Sequence, residues 1–498
     1  YVCTSVDTLI ERAPLAYQNQ DGFRKDIQTE FVLDGRTVSF RLLEDFDPSR
    51  PLILDPELVF SSYSGSSADN WGMTATPGLN DELFAGGIVF GEGFYPTTTG
   101  AFQTSFLGFA ELGVCDIAIS RFSADGSRLE YSTYMGGRDS DVPHSLIINS
   151  RGELVIYGST SSEDFPTTVG AFDPNFNGGV PLDGIQNFPI NGIPYYNGVD
   201  IFVAVLNPQG TNLIGSTYVG GSANDGVNYN LSLPYNYGDQ LRGEVIVGPN
   251  DQIYVASSTQ SGNFPTSNTA FRRNPAGRQD AVVFSLDRRC RTLEFSTYLG
   301  GNNEDAAYAI KRARDGNLYV AGGTASRNFP VTPGSAFPAY GGNIDGFVTR
   351  LNANGTAISA SSFVGRGAYD QAYLLALDFN GEVYIAGQSE NGMPITPNVY
   401  ANPNSGQFLL KLNESLNTIE AGTQFGSGKT TVDISLTALM VDTCRRVFVS
   451  GWGGITNNSG GIIETSSTEG LPITADAFQD DTDGSDFYFI VLDPDFTV

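Results

Sequence analysis

The chain is poor in histidine, cysteine, methionine, tryptophan and basic residues. Its 498 residues include one histidine, His144, with four cysteines, four methionines and two tryptophans. A single histidine excludes any mechanism that needs two, and leaves a Ser-His-Asp constellation one candidate base. Cys3, Cys115, Cys290 and Cys444 stand far apart and show no C-x-x-C spacing. That argues against a structural zinc site. One or two long-range disulfides remain an expectation if the chain is exported. Only 27 basic residues face 55 acidic ones, a formal charge of −28. Such a surface repels nucleic acid and anionic membranes. No uninterrupted apolar run approaches the length of a spanning helix. The chain opens on Tyr1 with no charged-then-apolar leader, and reads as a processed product or a fragment. Disorder is excluded from the other side, because 40% hydrophobic and 12% aromatic residues can bury a core.

What the chain has in excess is glycine, 59 residues of it, and internal repetition. An aromatic-glycine phrase recurs as SSYSG around Tyr63, STYMGG around Tyr134, STYVGG around Tyr218 and STYLGG around Tyr298. Weaker copies are SSFVG at Phe363 and GTQFG at Phe425, where phenylalanine stands in the place the pattern gives to tyrosine. Each copy is followed by an apolar phrase such as ELVIYG or NLYVAGG, then a Pro-Thr phrase such as FPTT at Pro166 or FPVT at Pro330. An alternating segment then closes the unit, as in DIFVAVL from Asp200 and DFYFIVL from Asp486. These phrases keep a fixed order through six units.

Each apolar phrase is short, rich in β-branched and aromatic residues, and bounded by Gly, Asn, Asp or Pro, which predicts strands. Pairs such as Asn380-Gly381 and Asn354-Gly355 supply the tight turns. No stretch sustains a helical period. A unit of about four strands makes one antiparallel sheet, and one sheet alone leaves an apolar face wet; radial packing of such sheets buries both faces. The expected fold is therefore all-β: a β-propeller of six four-stranded repeats over residues 56–498. A seventh blade is expected only if one lies outside this chain. A short β-rich segment, residues 1–55, precedes it as the end of another domain. The segment from Leu52 into SSYSG is expected to complete the last blade and close the ring. The long insertion at 171–199 is expected on a rim.

The same phrases resemble the SBBP-type β-propeller repeat of large secreted and cell-surface proteins of Bacteroidota. The resemblance rests on SGSSADNWG at 64–72 with AGGIVFGEGFYPTTTGAFQT, on PHSLIINSRGELVIYG at 143–158, and on VDTCRRVFVSGWGG at 441–454. It implies export by the type IX secretion route, a place at the cell surface, and partners among surface or outer-membrane proteins. Such proteins commonly carry a gliding-motility-associated C-terminal domain, which these residues do not include.

Candidate chemistry is sparse. An aspartate stands just past each aromatic-glycine phrase: Asp69, Asp141, Asp225, Asp305, Asp370 and Asp433. Two readings fit a carboxylate at a fixed place in every unit. It accepts backbone N–H groups and fixes a turn, or it ligates calcium; no D-x-D-x-D-G loop supports the second. His144 lies in DVPHS beside Asp141 and Ser145, and adjacency in sequence does not make a triad. Trp71 and Trp452 fit packing, with sugar stacking as the alternative. Asp7-Thr8-Leu9 resembles the Bacteroidota O-glycosylation motif. The expectation is a non-enzymatic extracellular structural or adhesive module without a required cofactor. A glycan-binding or glycan-cleaving propeller with a channel carboxylate is the alternative.

Overall fold

The computed structural model describes all residues except 1, 4–7, 10–14, 21, 22, 35, 36, 49, 51, 52, 56–60, 110, 111, 183–191, 230, 231, 391, 461–465, 475, 476, 478 and 498. The chain divides into two compact units, residues 1–63 with 125–127, and residues 64–124 with 128–498. In the first, Leu15–Gln20 pairs with Phe23–Ile27 on one side and Ile53–Asp55 on the other. A hairpin of Thr29–Asp34 and Thr37–Leu42 lies beside it in sequence, and Ala16 and Ile27 are buried. Asp7 and the Cys3 side chain lie outside the described residues, so the glycosylation motif and any pairing of Cys3 do too.

The second unit is a six-bladed β-propeller. Blade one consists of Asn70–Pro77, Leu83–Phe90, Cys115–Phe122 and Leu129–Met135. Blade two is Asp141–Ile148, Leu154–Thr160, Asp200–Leu206 and Leu213–Val219, and blade three is Glu244–Val247, Ile253–Thr259, Asp280–Leu286 and Leu293–Leu299. Blade four is Asp305–Arg312, Leu318–Thr324, Asp345–Leu351 and Ile358–Val364, and blade five is Asp370–Leu377, Val383–Ser389, Gln407–Leu412 and Ile419–Phe425. Among the described residues blade six has three strands, Ser435–Val441, Val447–Trp452 and Phe487–Leu492. Every blade is an antiparallel meander, and the first strands of successive blades pack side by side, which makes them the innermost. One short helix, Ile455–Gly460, and a 3-10 turn, Asp239–Leu241, are the departures from all-β among the described residues.

The recurring phrases are the joints of this architecture. The STY phrase is the outer strand. Its tyrosine lies across from Ala118, Phe202 and Val282 in the third strands of blades one to three. The hydroxyls of Tyr218 and Tyr298 donate to the carbonyls of Ser162 and Ser261, at 2.8 and 2.6 Å, so each ties the outer strand to its own Pro-Thr turn. The register corrects one expectation. Phe363 stands in the tyrosine place, opposite Phe347, but in blade five that place belongs to Gln424, opposite Phe408, and not to Phe425. Gln424 keeps the function, because its Nε2 donates to the carbonyl of Met393 in the equivalent turn. The aromatic residue caught the eye in the sequence, but strand register counts from the pairing.

The Pro-Thr phrase covers the outer edge of each blade. Thr168 donates its N–H to the carbonyl of Ser216, whose N–H donates back to the Thr168 hydroxyl; Thr98 with Ser132 and Thr332 with Ser361 repeat the exchange. An exposed edge strand invites pairing with other chains, and a doubly bonded cap blocks it. Four residues further along, the blades are latched together. The N–H groups of Phe102, Phe172, Phe271, Ala336 and Tyr400 donate to carbonyls of Gly210, Cys290, Gly355, Leu416 and Phe496 in the next blade's outer hairpin. Those five acceptors share a left-handed backbone, with φ between 55 and 69°.

Blade six departs from the expected four strands. Ser61–Tyr63 belongs to no strand and Tyr63 is 95% exposed, and residues 56–60 of the expected closing segment lie outside the described residues. In blades two and three the outward-stepping positions of the third strand, Ile201, Val203 and Val205, and Ala281 and Val283, are fully buried by the following blade. Their equivalents in blade six, Phe487, Phe489 and Val491, are 70, 72 and 53% exposed.

The hydroxyl bond of the outer-strand tyrosine is testable. Tyr298→Phe removes the bond to Ser261 and the one that Phe264 N–H donates to the same oxygen. The expected loss is about 1–2 kcal/mol in urea unfolding; an unchanged midpoint would remove the tyrosine from the list of joints.

Candidate functional site

Two regions gather polar and titratable side chains: the central channel and the junctions between blades. The first strands of blades one, two, four, five and six each carry a β-bulge, whose extra residues are Met73, His144, Tyr308, Tyr373 and Thr437. A bulge re-aims a side chain out of the ladder. His144 is thus the blade-two member of a repeated position. Its ring is half-buried and edge-on to Tyr157, and its Nε2 lies 3.0 Å from the Ser159 Oγ, which lies 3.0 Å from the Tyr195 hydroxyl. Burial pushes His144 down to about 3, so it is neutral. Its Nδ1 has no hydrogen-bond partner, and Ser159 is fully buried. A nucleophile needs an oriented base and an open approach; Asp141 and Ser145, the neighbours in sequence, bond elsewhere, to Gly137 and Ser162 and to Val245.

Blade three differs from the rest. Between Asp225 and Glu244 the chain runs outside the sheet, and the described residues of this segment plug the axis by reaching blades four, five and six. Tyr235 stacks on Tyr369 at 3.8 Å and its hydroxyl donates to Glu390, while Asn236 and Gln388 exchange two amide bonds of 2.9 Å. Asp239 accepts from the Tyr373 hydroxyl at 2.8 Å and from Arg242 Nε at 2.7 Å. The Arg242 guanidinium lies 4.2 Å over the Tyr373 ring and reaches the Leu436 carbonyl in blade six. Burial works against the Arg242 charge, and the adjacent Asp239 more than offsets it, so its pKa is raised. Trp452 packs edge-on against Tyr237 of the same segment, and Trp71 against Phe90. Both tryptophans serve packing. The sequence carried one signal of this plug that the reading passed over: NYNLSLPYNYGDQLRG, rich in tyrosine and amides, lies where other units continue directly into a strand. In the 171–199 insertion, expected on a rim, the described residues Leu182, Ile193 and Tyr195 are buried with Val142 and Leu241.

Asp141, Asp305 and Asp370 open the first strands of their blades, Asp69 and Asp433 stand one and two residues before theirs, and Asp225 lies outside the sheet well ahead of Glu244; all but the exposed Asp69 are buried. Their Oδ2 atoms accept the N–H of Gly137, Gly221 and Gly301 at 2.7, 2.7 and 2.6 Å, and of Arg366 and Ser427 at 2.9 and 2.8 Å. Ser162, Ser261 and Ser326, each two residues past the end of the second strand, add hydroxyl bonds of 2.8 to 2.9 Å. This is turn-fixing geometry. Among the described residues no group of three His, Cys, Asp or Glu side chains lies close enough to hold a metal ion.

A second aspartate series escaped the reading: Asp116, Asp200, Asp280 and Asp345, at the starts of the third strands. Each faces the repeated aspartate of the following blade across a glycine of the STY phrase. A Cβ on Gly136 would lie 2.9 Å from Asp116 Oδ1 and 2.7 Å from Asp141 Oδ2; on Gly300 it would lie 2.2 Å from Asp280 Oδ1 and 2.7 Å from Asp305 Oδ2. The same atoms flank Gly220 and Gly365. Glycine is required here by close approach. Burial, reinforced by the facing carboxylate, lifts Asp200 to about 8 and Asp345 to about 6. Burial likewise lifts Asp116, Asp225 and Asp305 to about 7, and Asp141 well above the usual range. Cys115 and Cys290 are buried free thiols whose pKa burial raises, and Cys444 is free and exposed, so these three form no disulfide.

Comparison with known proteins adds a family label for the first unit only. Residues 1–57 match the family described as a domain of unknown function, DUF7948. No curated protein matches the chain. Among solved structures, the Pyrococcus horikoshii acylaminoacyl peptidase is similar over 89% of this chain and 50% of its own, with 10% identity and a TM-score of 0.34. The present chain spans about half of that enzyme's length. BamB from Moraxella catarrhalis matches over 77% of this chain and 96% of its own, with 14% identity and a TM-score of 0.27. The Xanthomonas campestris gluconolactonase XC5397 matches over 78% and 96%, with 10% identity and a TM-score of 0.29.

Two outcomes follow. Asp239→Ala leaves Arg242 buried without its carboxylate and is expected to cost about 3–5 kcal/mol in denaturant unfolding, more than replacing both residues by apolar ones of similar size. Excess chelator is expected to leave the melting temperature unchanged, because a cation held only by the native state would raise it; a fall would assign calcium to the aspartates.

Proposed function

We propose that this chain is a non-enzymatic extracellular structural or interaction module, carried to the cell surface as the resemblance of its repeats implies. The observation that carries the reading is the plugged channel. A catalytic or sugar-binding propeller needs a concave site with a few convergent polar groups open to substrate. Here the channel tyrosines, amides and the Asp239–Arg242 pair are spent on one another. His144 lacks a carboxylate partner on Nδ1, and its serine is buried. Function then falls to the outer surface, whose loops vary without disturbing the blades. The charge of −28 keeps that surface soluble and turns away anionic partners.

Cross-linking on intact source cells, followed by mass spectrometry, tests this. Outer-membrane or surface-filament proteins are the expected partners. Recovery of only soluble neighbours or glycan would contradict the scaffold reading. A polysaccharide panel supplies the complementary arm: release of sugar that is abolished by converting one aspartate to asparagine would establish an enzyme.

A further inference from the structure

We propose that each of the four junctions linking blades one to five holds one proton shared between its two aspartates. In this arrangement Oδ1 of the third-strand aspartate donates to Oδ2 of the next blade's repeated aspartate.

The geometry repeats atom for atom. A Cβ placed on the glycine at 136, 220, 300 or 365 would lie 2.9, 2.5, 2.2 or 3.0 Å from Oδ1 of Asp116, Asp200, Asp280 or Asp345, and 2.7, 3.0, 2.7 or 2.9 Å from Oδ2 of Asp141, Asp225, Asp305 or Asp370. The remaining third-strand oxygens are satisfied: Leu107, Asn177, Ala276 and Gly341 donate their N–H to Oδ2 at 2.9, 2.6, 2.9 and 2.7 Å. All four Oδ1 atoms are buried and have no hydrogen-bond partner. Two buried like charges in this position carry both a desolvation and a repulsion cost. A proton between them removes both.

The fifth junction supplies independent support. There Gly406 stands at the register place of the third-strand aspartate, and Gln407, one residue on, brings its side-chain amide to the junction glycine instead. With its amide in the hydrogen-bonding orientation, its nitrogen donates to Asp433 Oδ2 at 3.2 Å, beside Gly426. A glutamine amide is a permanent neutral donor at the place where the other four junctions put a carboxyl group. A cation fits less well than a proton, because hard cations need six or more oxygens. These pairs are ringed by N–H and hydroxyl donors such as Gly137, Ser162 and Leu107.

The other charged groups that face the pairs are Asp164 at the first junction, Asp173 at the second, Arg272 at the third and Glu390 at the fourth. Three of the four are acidic and favour retention of the proton. The neighbouring groups Cys115, Tyr134, Tyr195, Tyr218, Tyr298 and Tyr340 are all shifted upward and stay neutral. An aspartate whose folded pKa lies above the unfolded value binds its proton more tightly when native. The stability it contributes is complete below the unfolded pKa, near 3.8, and is lost as pH rises through the folded values of about 6 to 8. The propeller is therefore held together more firmly in mild acid than in mild alkali.

Urea unfolding of the full chain at pH 5, 6, 7 and 8 tests the proposal. The unfolding constant should rise by up to about tenfold per pH unit for each shared proton in this range. Asp280→Asn, which copies the neutral donor of the fifth junction, should reduce that dependence by about one such factor and lose the infrared carbonyl band of one protonated carboxyl group. Gln407→Glu should add one factor, and should unfold at pH 8 if it folds only in acid. Unchanged pH dependence in both variants, or restoration of pH 8 stability by calcium instead of acid, would overturn it.

Discussion

The contact on which the rest of the propeller depends is the close approach of neighbouring blades at the STY glycine. Two aspartates from different blades meet there around a residue that has no side chain, and the backbone turn between blades is bonded to one of them. Remove the glycine, and at Gly300 a Cβ would press on both Asp280 and Asp305. Remove the first-strand aspartate, and the turn loses its acceptor while the serine just past the second strand loses its partner. The four junctions from blade one to blade five repeat this arrangement, so the blade-to-blade angle there is set locally, and stability accumulates through nearest-neighbour contacts.

The other joints work at increasing distance from the axis. Tyrosine hydroxyls bind the outer strand to its own Pro-Thr turn, the turn caps the strand edge, and the following residues latch to a left-handed corner of the next blade. At the axis the plug from blade three performs the same task inward, reaching blades four, five and six through Tyr308, Gln388 and the Leu436 carbonyl.

Much of this was legible in the amino-acid order. The strands, the number of blades and the turn-fixing place of Asp141, Asp225 and Asp305 follow from alternation, turn residues and repetition. What escaped has physical causes. The Asp116 series was hidden because it opens the third strand, where it reads as strand punctuation; only pairing across blades brings Asp116 to Asp141. Gln424 was misread because sequence comparison rewards an aromatic residue, whereas register rewards position. The plug was missed because a tyrosine-rich loop has no strand or helix period. Blade six, expected to take SSYSG as its fourth strand, leaves Phe487 and Phe489 bare.

The most direct test of the junction account is calorimetric. Unfolding at pH 6 in two buffers of different ionisation enthalpy reports the protons released per chain. The shared-proton junctions predict release of about four, because the native state holds them and the unfolded aspartates do not. Release near zero would mean that the facing carboxylates are already ionised in the native fold, and the account of the junctions would fail.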